Sequence, residues 1–513
     1  REIPAATVTN ETSISPESKA EPFVRRFWLI AGLAVFGILI ALIFWRAQFS
    51  HPYEPADRTI AVLPFKPVVP AHGDPVLEMG MADALIAKLT NLQDIVVRPL
   101  SSVRKYAAPE QDALAAGRAL QVESVLDGEI QRSGDHVRVI TRLIKIPNGS
   151  VLWSATFDEP FTDVFGVQDA ISQRVAEALA VRLSGEEKKR IVRHGTARIE
   201  AYQMYLTGRY HWNKLTPPEI ATSIKFFRQA IALDPEYAQA YFGMAEAYRA
   251  LAITGDMPPK ESMPHAKAAA TKALAIDDSL AEAHASLVFI HTWYDRDWAA
   301  AEREARRAIA LSPNYGMAHS AYAQLLSDLG RHPEAMAEAA RARELDPVSL
   351  IVNTIEGSVL YFAGEDEEAA ASLKKTLELD PNFWIARLFL GKVYLNEKRY
   401  ADALVQFGQA EKNSHGNSEA IAMSGYAAAV AGDRLRATQI LDQLNSAADQ
   451  RYVPPFNLAV VHLGLGQRDE VFAALERAYQ DRDVRLSFLK VDPKWNGVRS
   501  DARFASLMSR LGL

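Results

Sequence analysis

Nineteen residues from Phe27 to Trp45 carry neither a charge nor a proline, and twelve of them are Leu, Ile, Phe or Val. As a helix this run would be about 28 Å long, the thickness of a bilayer's hydrocarbon core. Trp28 and Trp45 stand at its two ends, where indole rings favour the headgroup level, and Arg25, Arg26 and Arg46 bracket it. The pattern predicts a transmembrane helix over 25–46 between two linkers. The first, 1–24, is flexible and rich in Thr, Ser, Glu and Pro; the second, 47–58, holds Pro52 and Pro55. Two arginines before the span against one after it predict a cytoplasmic amino terminus, with everything after the span in the periplasm of a bacterium. Gly37 and Ala41 share a helix face and would let two spans approach as a homodimer.

Beyond the second linker the pattern changes from all-apolar to short alternating runs. Ile60 to Phe65 and Ile95 to Arg98 predict buried strands, and Leu77 to Leu92 a helix through Met81, Leu85 and Leu89. A helix over Asp112 to Val122 follows, then strands over Ser124–Gln131, His136–Ile146 and Ser150–Phe157. Gly134-Asp135 and Asn148-Gly149 supply hairpin turns between them. Phe161 to Leu183 closes the unit as an amphipathic helix. This stretch, 57–185, with its Ala61-Val62-Leu63-Pro64-Phe65 strand, resembles the small α/β domain described as TolB-like. That resemblance implies a partner-sensing module without catalytic residues.

From 201 onward a fixed period dominates. Pro313, Pro347 and Pro381 stand 34 residues apart, each ending a helical pattern. Small residues recur where two helices would cross, as at Ala323, Ala335 and Ala342, at Gly357 and Ala369, and at Gly391, Ala403 and Ala410. The period and these positions resemble the tetratricopeptide repeat. About eight units are expected from 201 to 483, with 484–513 as the C-terminal cap. The expected fold is therefore mainly α: a tetratricopeptide α-solenoid preceded by a small α/β (TolB-like) domain and one transmembrane helix. The resemblance implies a protein or peptide partner in the concave groove. Its helix A positions fall on Met317, Ser320, Gln324 and Ser327, on Thr354, Ser358 and Tyr361, on Leu388, Lys392 and Leu395, and on Ala422 and Tyr426. The groove lacks the basic residues and asparagines with which some members clamp a terminal carboxylate.

The chemistry of the chain adds little to this picture. A formal charge of −6 supplies no positive field for nucleic acid, and the absence of cysteine excludes disulfides and thiol chemistry. No H-E-x-x-H, G-x-x-x-x-G-K or G-x-S-x-G occurs, so zinc protease, P-loop and hydrolase chemistries lack their minimum residues. Ser102 and Lys105 have the serine–lysine spacing of penicillin-recognising enzymes without its partner motifs, and His284, His319 and His462 sit where packing or capping is expected. No catalytic residue, metal site or cofactor is expected, and the chain is not expected to be an enzyme. Because the first residue is Arg1, the chain is expected to be processed or cut from something longer.

The order of span, α/β domain and repeats resembles the outer half of transmembrane transcription regulators, whose winged-helix DNA-binding domain precedes the span. A protein-interaction scaffold serving as the sensing part of such a regulator is the first functional expectation. The alternatives are the tail of a membrane cyclase or kinase and a free-standing envelope scaffold.

Overall fold

A computed structural model describes residues 58–513 apart from 91, 93, 109, 182, 186, 188–194, 215, 255 and 256. The expected span, its first linker, the second linker as far as residue 57 and the Gly37/Ala41 contact lie outside the described residues. Among the described residues, no helix is long and apolar enough to cross a membrane.

The α/β unit is built on six strands: β1 (Thr59–Val62), β2 (Lys66–Pro67), β3 (Val96–Val97), β4 (Ser124–Ser133), β5 (His136–Lys145) and β6 (Val151–Pro160). Their order is β3-β1-β4-β5-β6, with β2 beside β4; β1 runs parallel to β3 and β4, and the β4-β5-β6 meander is antiparallel. The meander forms because its residues alternate. Val137, Val139, Thr141 and Leu143 of β5 are buried while the residues between them face water. Gly134 makes the first turn at φ +62° and Gly149 the second at φ +70°. Helices α1 (Pro75–Thr90), α2 (Leu100–Val103), α3 (Ala113–Ala119) and α4 (Val164–Ala178) complete the unit. Met81, Leu85 and Leu89 of α1 share one core with Ile171 and Val175 of α4 and the apolar residues of β1 and β4.

Among the described residues, sixteen helices from Ile199 to Gln480 form eight antiparallel pairs. They are α5 (Ile199–Trp212) with α6 (Pro217–Leu233), α7 (Ala238–Thr254) with α8 (Pro259–Ile276), α9 (Ala281–Ile290) with α10 (Trp298–Leu311), and α11 (Gly316–Asp328) with α12 (His332–Leu345). Then come α13 (Leu350–Ala363) with α14 (Asp366–Leu379), α15 (Trp384–Asn396) with α16 (Tyr400–Asn413), α17 (Ser418–Val430) with α18 (Arg434–Ala448), and α19 (Pro455–Leu465) with α20 (Arg468–Gln480).

Two backbone devices repeat with the 34-residue period. The turn inside a pair passes through the left-handed region at Arg296, Gly330, Gly364, Lys398, Gly432 and Gly466, where only glycine is unstrained. The turn between pairs is tied by a side chain six residues further on. His319 Nε2 lies 3.0 Å from the Pro313 carbonyl, Asn353 Nδ2 donates to that of Pro347 at 2.9 Å, and Arg387 Nε to that of Pro381 at 2.9 Å. His284 does the same with Asp278 at 3.0 Å, so these histidines are capping groups. Within pairs, glycine lets helices touch. A Cβ on Gly391 would lie 2.4 Å from the Phe407 ring, and one on Gly357 2.6 Å from Leu373.

The α/β unit is not a bead beside this array. Tyr202 and Leu206 of α5 belong to the α/β core, and Gly80 of α1 is what admits Leu206, since a Cβ there would stand 2.5 Å from it. Arg209 forms a two-pronged ion pair with Asp83 at 2.8 and 3.1 Å. On the same side, the turns between later pairs meet the sheet edge at β3. Asn314 donates to the Ile95 carbonyl at 3.2 Å, Arg98 donates to the Leu345 carbonyl, and the Ser102 hydroxyl donates to Asp346 at 2.9 Å. Ser102 is thereby committed to the interface, and Lys105 lies against the neighbouring Tyr106 ring.

Candidate protein-binding groove

The twelve positions chosen for the groove fall in register, because Ser320, Thr354, Leu388 and Ala422 are equivalent, as are Gln324, Ser358, Lys392 and Tyr426. None of the twelve is exposed. Ser320, Gln324, Ser327, Thr354, Ser358, Tyr361, Leu388, Lys392 and Ala422 are buried, and Met317, Leu395 and Tyr426 half-buried. The Thr354 and Ser358 hydroxyls turn back onto their own helix at Leu350 and Ile355.

What covers much of this face is the chain's own carboxy-terminal segment. After α20, two 3₁₀ turns, Val484–Lys490 and Pro493–Val498, lead into α21 (Ala502–Leu511). Asp483, Asp492 and Asp501 cap these three elements, each accepting a backbone N–H two residues on. The segment is anchored by Leu486, Leu489 and Trp495, which are completely buried; the Trp495 ring meets Phe456 edge-on at 5.4 Å, and Phe488 stacks on Phe362 at 5.4 Å. The segment then reaches back to the third pair. Arg482 donates to the Tyr294 carbonyl at 2.8 Å, and the Trp298 indole to the Leu511 carbonyl at 3.0 Å.

Charges bind segment and groove together. Lys392 Nζ donates to Glu419 Oε1 at 3.0 Å, and Arg485 Nε donates to Glu419 Oε2 at 2.9 Å. Burial alone would raise the Glu419 carboxyl, but Lys392 and Arg485 outweigh it and hold the group well below the ordinary carboxylate range. Asp492 pairs with Lys494 and accepts the Tyr361 hydroxyl at 3.2 Å. With Asp483 on Arg485, three cations and three carboxylates balance in a buried cluster. One carboxyl stands apart from any cation. Burial pushes Asp328 up to about 8 against the hydrogen bonds of Gln324 and Ser487. The void left among Lys392, Glu419, Ala422, Arg485, Asp492 and Lys494 is about 10 Å³, room for one water and not for a peptide. Among the described residues, no group of three or more acidic, histidine or cysteine side chains is placed to hold a metal.

Residues 291–349 and 356–418 match the tetratricopeptide repeat. The helix pairs over these residues are tetratricopeptide repeats, and the pairs on either side continue the same helix–turn–helix pattern. Residues 56–174 match the description "HilA/YgeH-like transcriptional regulator, second domain", so the α/β unit is similar to part of a regulator and the description found there is not the TolB-like one. Among curated relatives, 261 residues are 29% identical to "Putative adenylate cyclase 3" of Rhizobium meliloti, covering 48% of this chain and 42% of the relative. Over 94 residues the chain is also 29% identical to the transcriptional regulator HilA of Salmonella typhimurium, covering 18% of this chain and 17% of the relative. The chain thus spans less than half the length of the curated relatives it matches. Among solved structures, PilF of Pseudomonas aeruginosa is 21% identical with a TM-score of 0.33, covering 45% of this chain and 96% of that one.

The solenoid was legible as a scaffold with inward-facing helix A positions. The segment 484–513 was expected as an end cap, with Asp492 to Phe504 resembling the tail that closes such arrays. That Arg485, Asp492 and Trp495 fold back into the groove was not expected, and the aspartates nine residues apart before short apolar runs are the sequence signal for it.

Proposed function

We propose that this tetratricopeptide scaffold is the sensing part of a bacterial transmembrane transcription regulator, anchored through residues 27–45 with a cytoplasmic amino terminus and a periplasmic α/β unit and solenoid. The observation that carries the reading is the regulator-type α/β unit at 56–174 keyed into the solenoid by Asp83–Arg209, Arg98 and Ser102. A signal received on the repeats would reach the α/β unit through those contacts rather than through a loose linker. A peptide entering the concave groove must replace residues 484–498 and the ion pairs they make, so partner binding there is an exchange and not a simple docking. The chain itself carries no chemistry in this reading.

A second reading, the tail of a membrane signalling enzyme, is favoured by the 261-residue likeness to the cyclase relative. Two measurements on the gene in its host separate them. The regulator reading expects specific promoters to be enriched on chromatin precipitation of the tagged protein, with cyclic AMP unchanged on deletion; no enrichment together with a fall in cyclic AMP refutes it. A periplasm-dependent reporter fused after Leu513 should be active, and silence there with an active cytoplasmic reporter overturns the topology.

A further inference from the structure

The two edges of the β-sheet differ. At one, β3 is short and the repeat turns cover it, as the bond from Asn314 to Ile95 shows. At the other, β6 is ten residues long, and among the described residues no strand pairs with its outer edge. Such edges are ordinarily blunted by lysine, proline or a mid-strand bulge. Here the run Val151-Leu152-Trp153-Ser154-Ala155-Thr156-Phe157 has no charge and no proline; Asp158, Glu159 and Pro160 confine those features to the end of the strand, and the register shift opposite Leu143 and Ile144 lies at its beginning. Val151 and Leu152 are 56% and 40% exposed.

The ladder fixes which peptide groups are free. Ile146 donates to Glu123 of the strand that becomes β4, and Phe161 donates to Asp135 ahead of β5. With the observed registers, the even-numbered residues of β5 bond to β4 and its odd-numbered residues to β6. Trp153, Ala155, Phe157 and Glu159 therefore spend their N–H and C=O groups on β5, while those of Ser154, Thr156 and Asp158 point outward.

We propose that β6 pairs with β6 of a second copy of this chain, antiparallel about a two-fold axis through Ala155. That register is the one in which the strand complements itself. Ser154 and Thr156, whose peptide groups are free, exchange backbone hydrogen bonds with Thr156 and Ser154 of the other copy. Trp153 comes opposite Phe157 in the closer, non-hydrogen-bonded kind of pair, where aromatic side chains interact best. Like charges do not meet, since Asp158 falls opposite Leu152 and Glu159 opposite Val151, and Asp158 keeps its own partner Arg138. A second copy is favoured over a foreign strand because both faces of the pair then match without any further sequence. The pairing does not depend on the proposed regulator reading or on what the groove binds.

The chain has no cysteine, so engineered ones report cleanly. Under mild oxidation of the full-length protein, Ala155→Cys should form a covalent dimer, because its Cα atoms would lie about 4.5 Å apart across the axis. Ser154→Cys, displaced by two residues from its own mate, and Leu435→Cys, exposed on α18, should not. Adding Thr156→Lys to Ala155→Cys places charges on the edge and should cut the cross-linked fraction about tenfold with the circular dichroism unchanged. Thr156→Pro, which removes an outward N–H and no ladder bond, should do the same. The proposal is overturned if Ala155→Cys gives no dimer, if it cross-links to a different protein, or if the dimer persists in both Thr156 variants.

Discussion

Asp328→Asn should stabilise the protein, and more so the higher the pH. Asp328 is fully buried at the end of α11, beneath the segment that fills the groove, with Gln324 and Ser487 as its polar neighbours and no cation beside it. Its carboxyl loses protons at about 8 instead of the ordinary 3.8. Between those values the folded protein holds a proton that the unfolded chain has released, so stability is full below about pH 4 and falls as the pH rises toward 8. At roughly 1.4 kcal/mol for each tenfold step in proton affinity, the loss approaches 5 to 6 kcal/mol above pH 8, and relaxation of the site reduces what is observed to about 2 to 4. Asparagine has the same shape and nothing to ionise. Urea unfolding of wild type and variant at pH 5 and pH 8.5 measures the effect as a difference of differences. Because about 1.6 kcal/mol of the loss already falls between pH 3.8 and pH 5, the gain from the substitution should be about 1 to 2.5 kcal/mol larger at the higher pH. An effect of the same size at both values would show that Asp328 does not hold a proton in the folded state, and the reasoning would fail.

Three further outcomes follow from the packing. Glu419→Gln leaves Lys392 and Arg485 buried without their shared carboxylate and should cost about 3 to 5 kcal/mol in thermal or urea unfolding, with amide exchange accelerated first over 484–498. Lys398→Gly should gain about 0.5 to 1 kcal/mol, since Lys398 is exposed and holds φ at +61° where four equivalent turns use glycine; a loss on unfolding would refute it. Gly391→Ala should cost about 1 to 3 kcal/mol through its clash with Phe407, and Phe407→Leu should recover part of that in a double-mutant cycle; strict additivity would mean that the two do not touch.

Much of the solenoid could be read from the sequence because its determinants are local. A glycine at φ > 0, a proline after the last turn and a small residue at a helix crossing each act within one pair, and the period repeats them at 330, 364, 432 and 466. The meander was legible for the same reason, since alternation and two glycine turns lie within forty residues. The two-residue strand β2 carries no such signal: Lys66 and Pro67 become a strand only because β4 runs beside them. Arg209 and Asp83 are 126 residues apart and Ser102 and Asp346 are 244 apart, and no local pattern links the members of either pair.

The groove is the instructive case. Register says which side chains of helix A point inward, but inward-pointing residues look alike whether they meet a partner, water or the rest of the same chain. Composition at these positions hinted at the outcome. Serine, threonine and alanine dominate at 320, 327, 354, 358 and 422, leaving space, and the only cation among the twelve is Lys392. A cation buried to 5% exposure requires a carboxylate and a lid, which Glu419 supplies from the next pair and Arg485 and Phe488 from the terminus. The closure has a mechanical consequence. An open row of helix pairs bends at every interface, whereas this one is tied at its far end to the third pair by Trp298–Leu511 and along its turns to the α/β unit by Arg98 and Asp346. Displacing the terminal segment would release the first of these ties while leaving the second.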